Sequence, residues 1–463
     1  MDRKDVPVGE GFGVPQGKGI AVPDGMERMQ MKMKVLWLCN LMIPAVAEEL
    51  GLPYSNKEGW LTGCYGRICG READMELGIC FPVEGKPEAV EERCAGKTGF
   101  RLGESGTVCY AFEERLSSPE KYDTGMEGRF SEILKDFKPD LVHIFGTEFP
   151  HTLAMVRAFG RPERTLIGIQ GLCFALADAY LADLPDWVVR RKTFRDWLKK
   201  DGILQQQEKF RVRGEREKEA LRGTGHITGR TEFDRVETER VNPGAEYHFM
   251  NETMRSPFYE GRWEPEKADS YSIFLSQGDY PLKGFHYVLQ ALGEVAGEYP
   301  QARVKVAGNS IIGNRTWKDK VKISSYGKYL LELVKSLGLE GRVEVLGKLS
   351  AQEMKDEFLR SGLFICPSSL ENSPNSMGEA MLLGVPVVAA RTGGIPSMIE
   401  DGREGLLYEA GNVGELAACI KRVWQEPEEA VKRAERARVR AFDTHDGEKN
   451  YKRMLAIYRE ICQ

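Results

Sequence analysis

Two glutamates eight positions apart, Glu371 and Glu379, frame the start of one helical stretch. They sit within residues 363–390, LFICPSSLENSPNSMGEAMLLGVPVVAA. Residues 363–366 are an apolar run suited to a strand buried on both faces. A polar loop follows, with Ser373 and Pro374 placed as N-cap and first helical residue. Met377, Met381 and Leu382 fall at helical spacing, Gly384 ends the helix, and 385–390 reads as the next buried strand. Free N–H groups at a helix N-terminus make an anion site. With an acid on either side, such a unit can hold a polyhydroxy, phosphorylated ligand. The acids would accept from hydroxyls, and the amides would donate to phosphate or sugar oxygens. Taken alone, the pair also reads as a loop charge and a solvated helix charge.

A cation stands in a comparable place. Lys283 lies in the loop 276–284 between a strand at 272–275 and a helix at 285–295, where it can meet a phosphate as a point charge. The elements that must position these groups alternate along the whole chain. Short apolar strands are expected at 34–39, 75–81, 106–112, 141–145 and 166–169, then at 272–275, 303–307, 342–346, 363–366, 385–390 and 405–408, with helices between. That alternation predicts α/β domains with parallel sheets covered on both faces. Ligands in such sheets bind beyond the carboxyl ends of the strands, which places Gly59, Glu148 and Gln170 near one crevice. Arg230 follows a strand end at 226–229.

At 463 residues the chain is too long for one ordinary core, so two domains are expected. Hydrophobic content of 41% and charged content of 29% describe a globular protein, and a net charge of −5 gives no sign of nucleic-acid binding. The ten cysteines form no CxxC pair and suit reduced thiols in a cytosol. Residues 1–33 are Gly/Pro-rich without apolar periodicity and read as a disordered tail. The domains are expected at 34–255 and 256–441, with residues 242–257 carrying the linker and a last helix within 442–463 returning to the first domain. Residues 187–213 carry nine basic residues against three acidic ones, with Trp187, Phe194, Trp197 and Leu198 interleaved. Such a segment either packs on its own domain with a solvated basic face or lies on an anionic membrane surface.

The pattern Glu371-Asn372-Ser373-Pro374-Asn375-Ser376-Met377-Gly378-Glu379-Ala380, then Leu383-Gly384-Val385-Pro386, resembles glycosyltransferase family 4, the retaining nucleotide-sugar transferases. The run 392–407, the pair Lys283-Gly284 and Pro367-Ser368 are similar to the family as well, so the resemblance spans the second half of the chain. It implies a GT-B architecture, two Rossmann-like domains facing across a cleft. By this resemblance Glu379 would bind the donor ribose, Glu371 would face the transferred sugar, and Lys283 would neutralise the leaving diphosphate. Asn372, Asn375, Ser376, Met377, Gly278 and Asn309 would belong to the donor side, and the backbone at Gly347 and Lys348 would flank the base. Gly59, His143, Glu148 and Arg230 would form the acceptor side and phosphate loop.

The chain departs from the family at three positions. Gly278 stands where an Arg is usual, so a second phosphate cation must come from elsewhere, such as Arg230. Glu58 precedes Gly59 in place of a paired glycine. Gln170 stands where many members have His; it can hydrogen-bond a sugar hydroxyl but cannot take a proton. The resemblance implies transfer of a hexose from a UDP- or GDP-sugar to a sugar or glycan acceptor with retention; the basic segment 187–213 leaves a lipid-linked acceptor, a polysaccharide and a small sugar all open. No cofactor is expected beyond the donor; the lack of a ligand cluster such as DxD predicts no metal, the mild net charge no nucleic-acid partner, the cysteines a cytoplasmic protein, and the basic segment 187–213 a peripheral membrane contact. A non-catalytic nucleotide-sugar binding protein or partner subunit is the alternative. A dinucleotide oxidoreductase would need a GxGxxG between the first strand and helix, and the chain has none there.

Overall fold

The computed structural model describes residues 32–53, 59–69, 71, 75–85, 87–103, 105–309, 312 and 322–463. Most of the expected tail, residues 1–31, and Glu58 lie outside them. The described residues form two sheets. The first has eight strands in the spatial order Phe100–Arg101, Val108–Glu113, Met75–Val83, Met33–Leu38, Leu141–Phe145, Thr165–Gly168, His226–Gly229 and Glu246–Phe249. The second has six, in the order Val343–Gly347, Arg303–Ala307, Asp269–Leu275, Ser361–Cys366, Val387–Arg391 and Leu406–Glu409. Every pairing is parallel except that of Phe100–Arg101 with Val108–Glu113. Helices cover both faces, so the central strands are buried runs: Val35 to Leu38 and Leu363 to Ile365 are all at most 1% exposed.

The final helix, Gly447–Cys462, crosses back to the first sheet. Its Tyr458 hydroxyl accepts from Trp37 Nε1 at 2.9 Å and meets His143 Nδ1 at 2.7 Å. This corrects the placement of His143. It is a core histidine on strand Leu141–Phe145, wholly buried, with its pKa pushed down to about 3 by burial. It belongs to the seat of the terminal helix, not to an acceptor side.

Two further expectations change. The stretch 242–257 is not all linker, because Glu246–Phe249 adds an edge strand to the first sheet. The basic segment forms helices Asp186–Arg190, Phe194–Lys199 and Ile203–Arg222. It packs against the second sheet's helices rather than on its own domain alone. Val188, Val189 and Ile203 join the apolar core built around Phe285–Val295. Asp196 accepts from Ser325 N at 2.8 Å, and Arg191 bridges to Glu332 at 2.8 Å. Trp187, Phe194, Trp197 and Leu198 remain 53–67% exposed. No helix among the described residues is long and apolar enough to cross a membrane.

Candidate functional site

A cavity of about 890 Å³ opens between the carboxyl ends of the two sheets. That volume lies within the range of small-molecule sites. Of the residues singled out from sequence, Gly59, Glu148, Gln170, Arg230, Lys283, Asn309, Lys348, Glu371, Asn375, Ser376 and Glu379 line it. His143, Gly278, Gly347, Asn372 and Met377 do not.

Each exception has a physical reason. Met377 is fully buried among Phe364, Ala380 and Met381, facing the core side of its helix. Asn372 is a latch between domains: its Oδ1 accepts from Thr231 Oγ1 at 2.7 Å and its Nδ2 reaches the Gln170 carbonyl at 3.4 Å. Gly278 is buried, and a Cβ there would stand 3.0 Å from both Phe285 and Val306, so a side chain has no free path to the cavity. Gly347 accepts from Gly308 N at 2.9 Å and leaves the cavity wall to Lys348. Ser373 does not cap the helix. Pro374 is the N-cap of Asn375–Leu383, and Ser373 instead accepts from Arg230.

The second-domain wall is built by a close approach of two loops. Gly284 has φ +65°, and a Cβ on it would lie 1.9 Å from the Pro367 carbonyl oxygen. Its absence lets the Lys283 loop sit on the 367–374 loop. Lys283 Nζ then reaches Glu371 Oε1, which also accepts from Ser368 Oγ at 2.8 Å. Burial pulls the Lys283 ammonium down, but Glu371 and Tyr280 together outweigh it, so its pKa is raised and the lysine stays charged.

Glu379 faces the same cavity from the helix. Arg255 donates to its Oε1 through both Nε at 2.8 Å and Nη2 at 2.6 Å. Both bonds go to one oxygen, and no hydrogen bond to Oε2 is seen among the described residues. Burial raises the Glu379 pKa to about 7, with Arg255 holding it back. Arg255 fits because Gly59 has no side chain: a Cβ there would be 2.0 Å from Arg255 Cδ. Arg255 went unnoticed in the sequence since it lies in the punctuated segment 242–257, outside any motif.

The first-domain wall is held by buried polar chains. Arg230, 8% exposed, pairs with Glu252 and donates to the Ser373 carbonyl at 3.0 Å and Asn375 Oδ1 at 3.2 Å. Burial lowers its pKa to about 10 against the pull of Asp234. Gln170 Nε2 donates to Glu252 as well. Glu148 accepts from Gly171 N at 2.9 Å and from Asn40 Nδ2 at 3.3 Å. Asn40 in turn bonds His151 Nε2 at 3.0 Å, whose Nδ1 meets Glu114 at 2.7 Å. Beneath them Glu217, its pKa raised to about 8 by burial, accepts from Thr147 and from Phe174 N at 3.0 Å. Arg230, Arg255 and Lys283 thus line one space, each already paired with an acid. Such a site can exchange internal ion pairs for a ligand's hydroxyls and phosphates.

The architecture has counterparts among known proteins. Residues 259–440 match the family of glycosyl transferases group 1. The match covers the second sheet and the helices around it. The matched residues include Lys283, Glu371 and Glu379. Over 135 residues the chain is 34% identical to the N-acetyl-alpha-D-glucosaminyl L-malate synthase of Bacillus anthracis. The alignment takes in 29% of this chain and 35% of that relative, so the chain spans about a third of the relative's length. Across nearly the whole chain, the GT-B fold is shared with solved glycosyltransferases. The sucrose-phosphate synthase of Thermosynechococcus elongatus superposes with a TM-score of 0.64 over 93% of this chain and 99% of that one, at 13% identity. Anabaena Alr3699/HepE, solved in complex with UDP-glucose, superposes with a TM-score of 0.62 over 92% of this chain and 100% of that one, at 17% identity.

Proposed function

We propose that the protein is a retaining glycosyltransferase that moves a hexose from a nucleoside diphosphate sugar to an acceptor hydroxyl in glycan or polysaccharide synthesis. The observation that carries this reading is the cavity wall of Lys283, Glu371 and Glu379 on a group 1 domain. The donor lies on that wall. Glu379 Oε2 accepts from the ribose hydroxyls, Lys283 exchanges Glu371 for the diphosphate, and Glu371, so released, faces the hexose. Arg230 and Arg255 supply the second cationic contact that Gly278 cannot. UDP is the favoured base, in keeping with the UDP-glucose complex of the structurally similar HepE. Catalysis rests on positioning and on stabilising the leaving diphosphate. Gln170 and Glu148 hold the acceptor side.

The acceptor is a sugar or glycan on a lipid carrier. The protein works in the cytoplasm and touches the membrane through Trp187, Phe194, Trp197 and Leu198. Support for this comes from their exposure beside Arg190, Lys192, Lys199 and Lys200, which are all exposed too. Aromatic groups flanked by lysines and arginines suit an anionic interface.

Incubating the protein with UDP-, GDP- and ADP-sugars and following nucleoside diphosphate release and the sugar product tests the reading. Transfer, or slow donor hydrolysis without acceptor, is expected with a UDP-sugar. Binding with neither outcome would instead favour a non-catalytic nucleotide-sugar binding protein.

A further inference from the structure

The first sheet carries a second cluster of ligating side chains, at the opposite end of its strands from the cavity. His226 opens strand His226–Gly229, whose far end leads to Arg230. On the neighbouring edge strand, Glu246 lies in register with His226, and His248 follows two residues on. Strand period places the three on one face. His226 Nδ1 stands 3.0 Å from His248 Nε2 and 3.7 Å from Glu246 Oε2. One ligand atom from each residue falls within 4.8 Å of the others. A tetrahedral zinc site with bonds near 2.0–2.1 Å has ligand-to-ligand edges of about 3.3 Å.

The surroundings fit as well. His248 is 3% exposed at its side chain, and its other nitrogen, Nδ1, faces Glu460 Oε2 of the terminal helix at 3.6 Å. A carboxylate there favours the proton on Nδ1 and turns the Nε2 lone pair toward His226. A ligating histidine characteristically has such a partner behind it. Without an ion, a single proton bridges the two rings. A divalent cation would take that proton's place between the two nitrogens, the proton moving to Nε2 of His226, so that both ligands are neutral imidazoles. Glu246, exposed, leaves a path for entry.

We propose that His226, Glu246 and His248 form a site for a divalent transition ion of the zinc class, with solvent as the fourth ligand and Glu460 orienting His248. The ion clips the exposed edge strand to its neighbour and, through Glu460, to the terminal helix.

Tag-free, chelator-stripped protein titrated with Co²⁺ and then Zn²⁺ tests this. One Co²⁺ per chain should bind with d–d absorption from nitrogen and oxygen ligands, without a thiolate charge-transfer band, and Zn²⁺ should displace it. His226→Ala and His248→Ala should each abolish the band. Glu246→Gln, an exposed change that leaves the fold intact, should weaken zinc roughly tenfold or more, and Glu460→Gln about 10- to 100-fold. A thiolate band, which the cysteines could give, would overturn the proposal. So would the absence of a stoichiometric site, or unchanged affinity in Glu246→Gln together with His226→Ala.

Discussion

At the residue scale, the wall proposed to take the donor is a set of ion pairs that a ligand would have to replace. Glu379 is buried, and its pKa is raised to about 7. A carboxylate accepts from hydroxyls better when ionised, so donor affinity should rise as pH increases through about 7 and level off above it. Glu379→Gln should flatten that profile, and Glu379→Ala should weaken UDP binding by about 10- to 100-fold, as expected for losing hydrogen bonds to a charged group. Calorimetric titration across pH 5.5–8.5 checks both, and a parallel profile in the Gln variant would contradict the assignment. Lys283→Ala should lower turnover by roughly 10²–10³, the scale for removing one group that stabilises developing charge. The acids and the lysine were legible in the sequence because their spacing sits on recognisable loop and helix starts. Arg255 and Glu252 were not. Their roles come from long-range approach, Arg255 to Glu379 and Glu252 to Arg230, and no local pattern encodes that. The opposite error at Met377 and Asn372 has a similar origin. Adjacency to a motif says nothing about whether a side chain faces the cavity, the core or the other domain.

At the element scale, the decisive contact is the one between the Lys283 loop and the 367–374 loop. Gly284→Ala would meet the Pro367 carbonyl and force a left-handed backbone on a residue with a side chain. The backbone term alone costs about 1–2 kcal/mol, so a lower melting temperature and weaker UDP binding are expected together. The terminal helix offers a cleaner stability test. Tyr458→Phe removes the hydroxyl that serves both Trp37 and His143, and should cost about 1–3 kcal/mol in urea unfolding with little change in donor affinity. Strand and helix positions were readable from apolar runs, since buried parallel strands are apolar throughout. The edge strand Glu246–Phe249 was not, because EYHF buries only His248 and leaves Glu246 and Phe249 exposed, amid Asn, Pro and Gly. The exposed aromatics of Phe194–Lys199 predict that Phe194→Glu with Trp197→Glu reduces sedimentation with phosphatidylglycerol vesicles while leaving UDP binding unchanged. Equal sedimentation of variant and parent would remove the membrane surface from the account.

At the scale of the molecule, two parallel sheets meet with their strand ends facing one cavity, and the chain ties them together several times. Asn372 to Thr231, Arg230 to Ser373 and Asp196 to Ser325 all cross between the halves. The doubled α/β pattern announced two domains, but residues 180–203 packing into the second core could not be read from it, since a basic amphipathic helix does not name its partner. The central claim is that this cavity holds a nucleoside diphosphate, with ribose at Glu379 and diphosphate at Lys283. Titrating UDP and uridine into the parent, Glu379→Ala and Lys283→Ala proteins tests it most directly. The account predicts that Glu379→Ala weakens both ligands, whereas Lys283→Ala weakens UDP and leaves uridine unaffected. UDP affinity unchanged in both variants would contradict it.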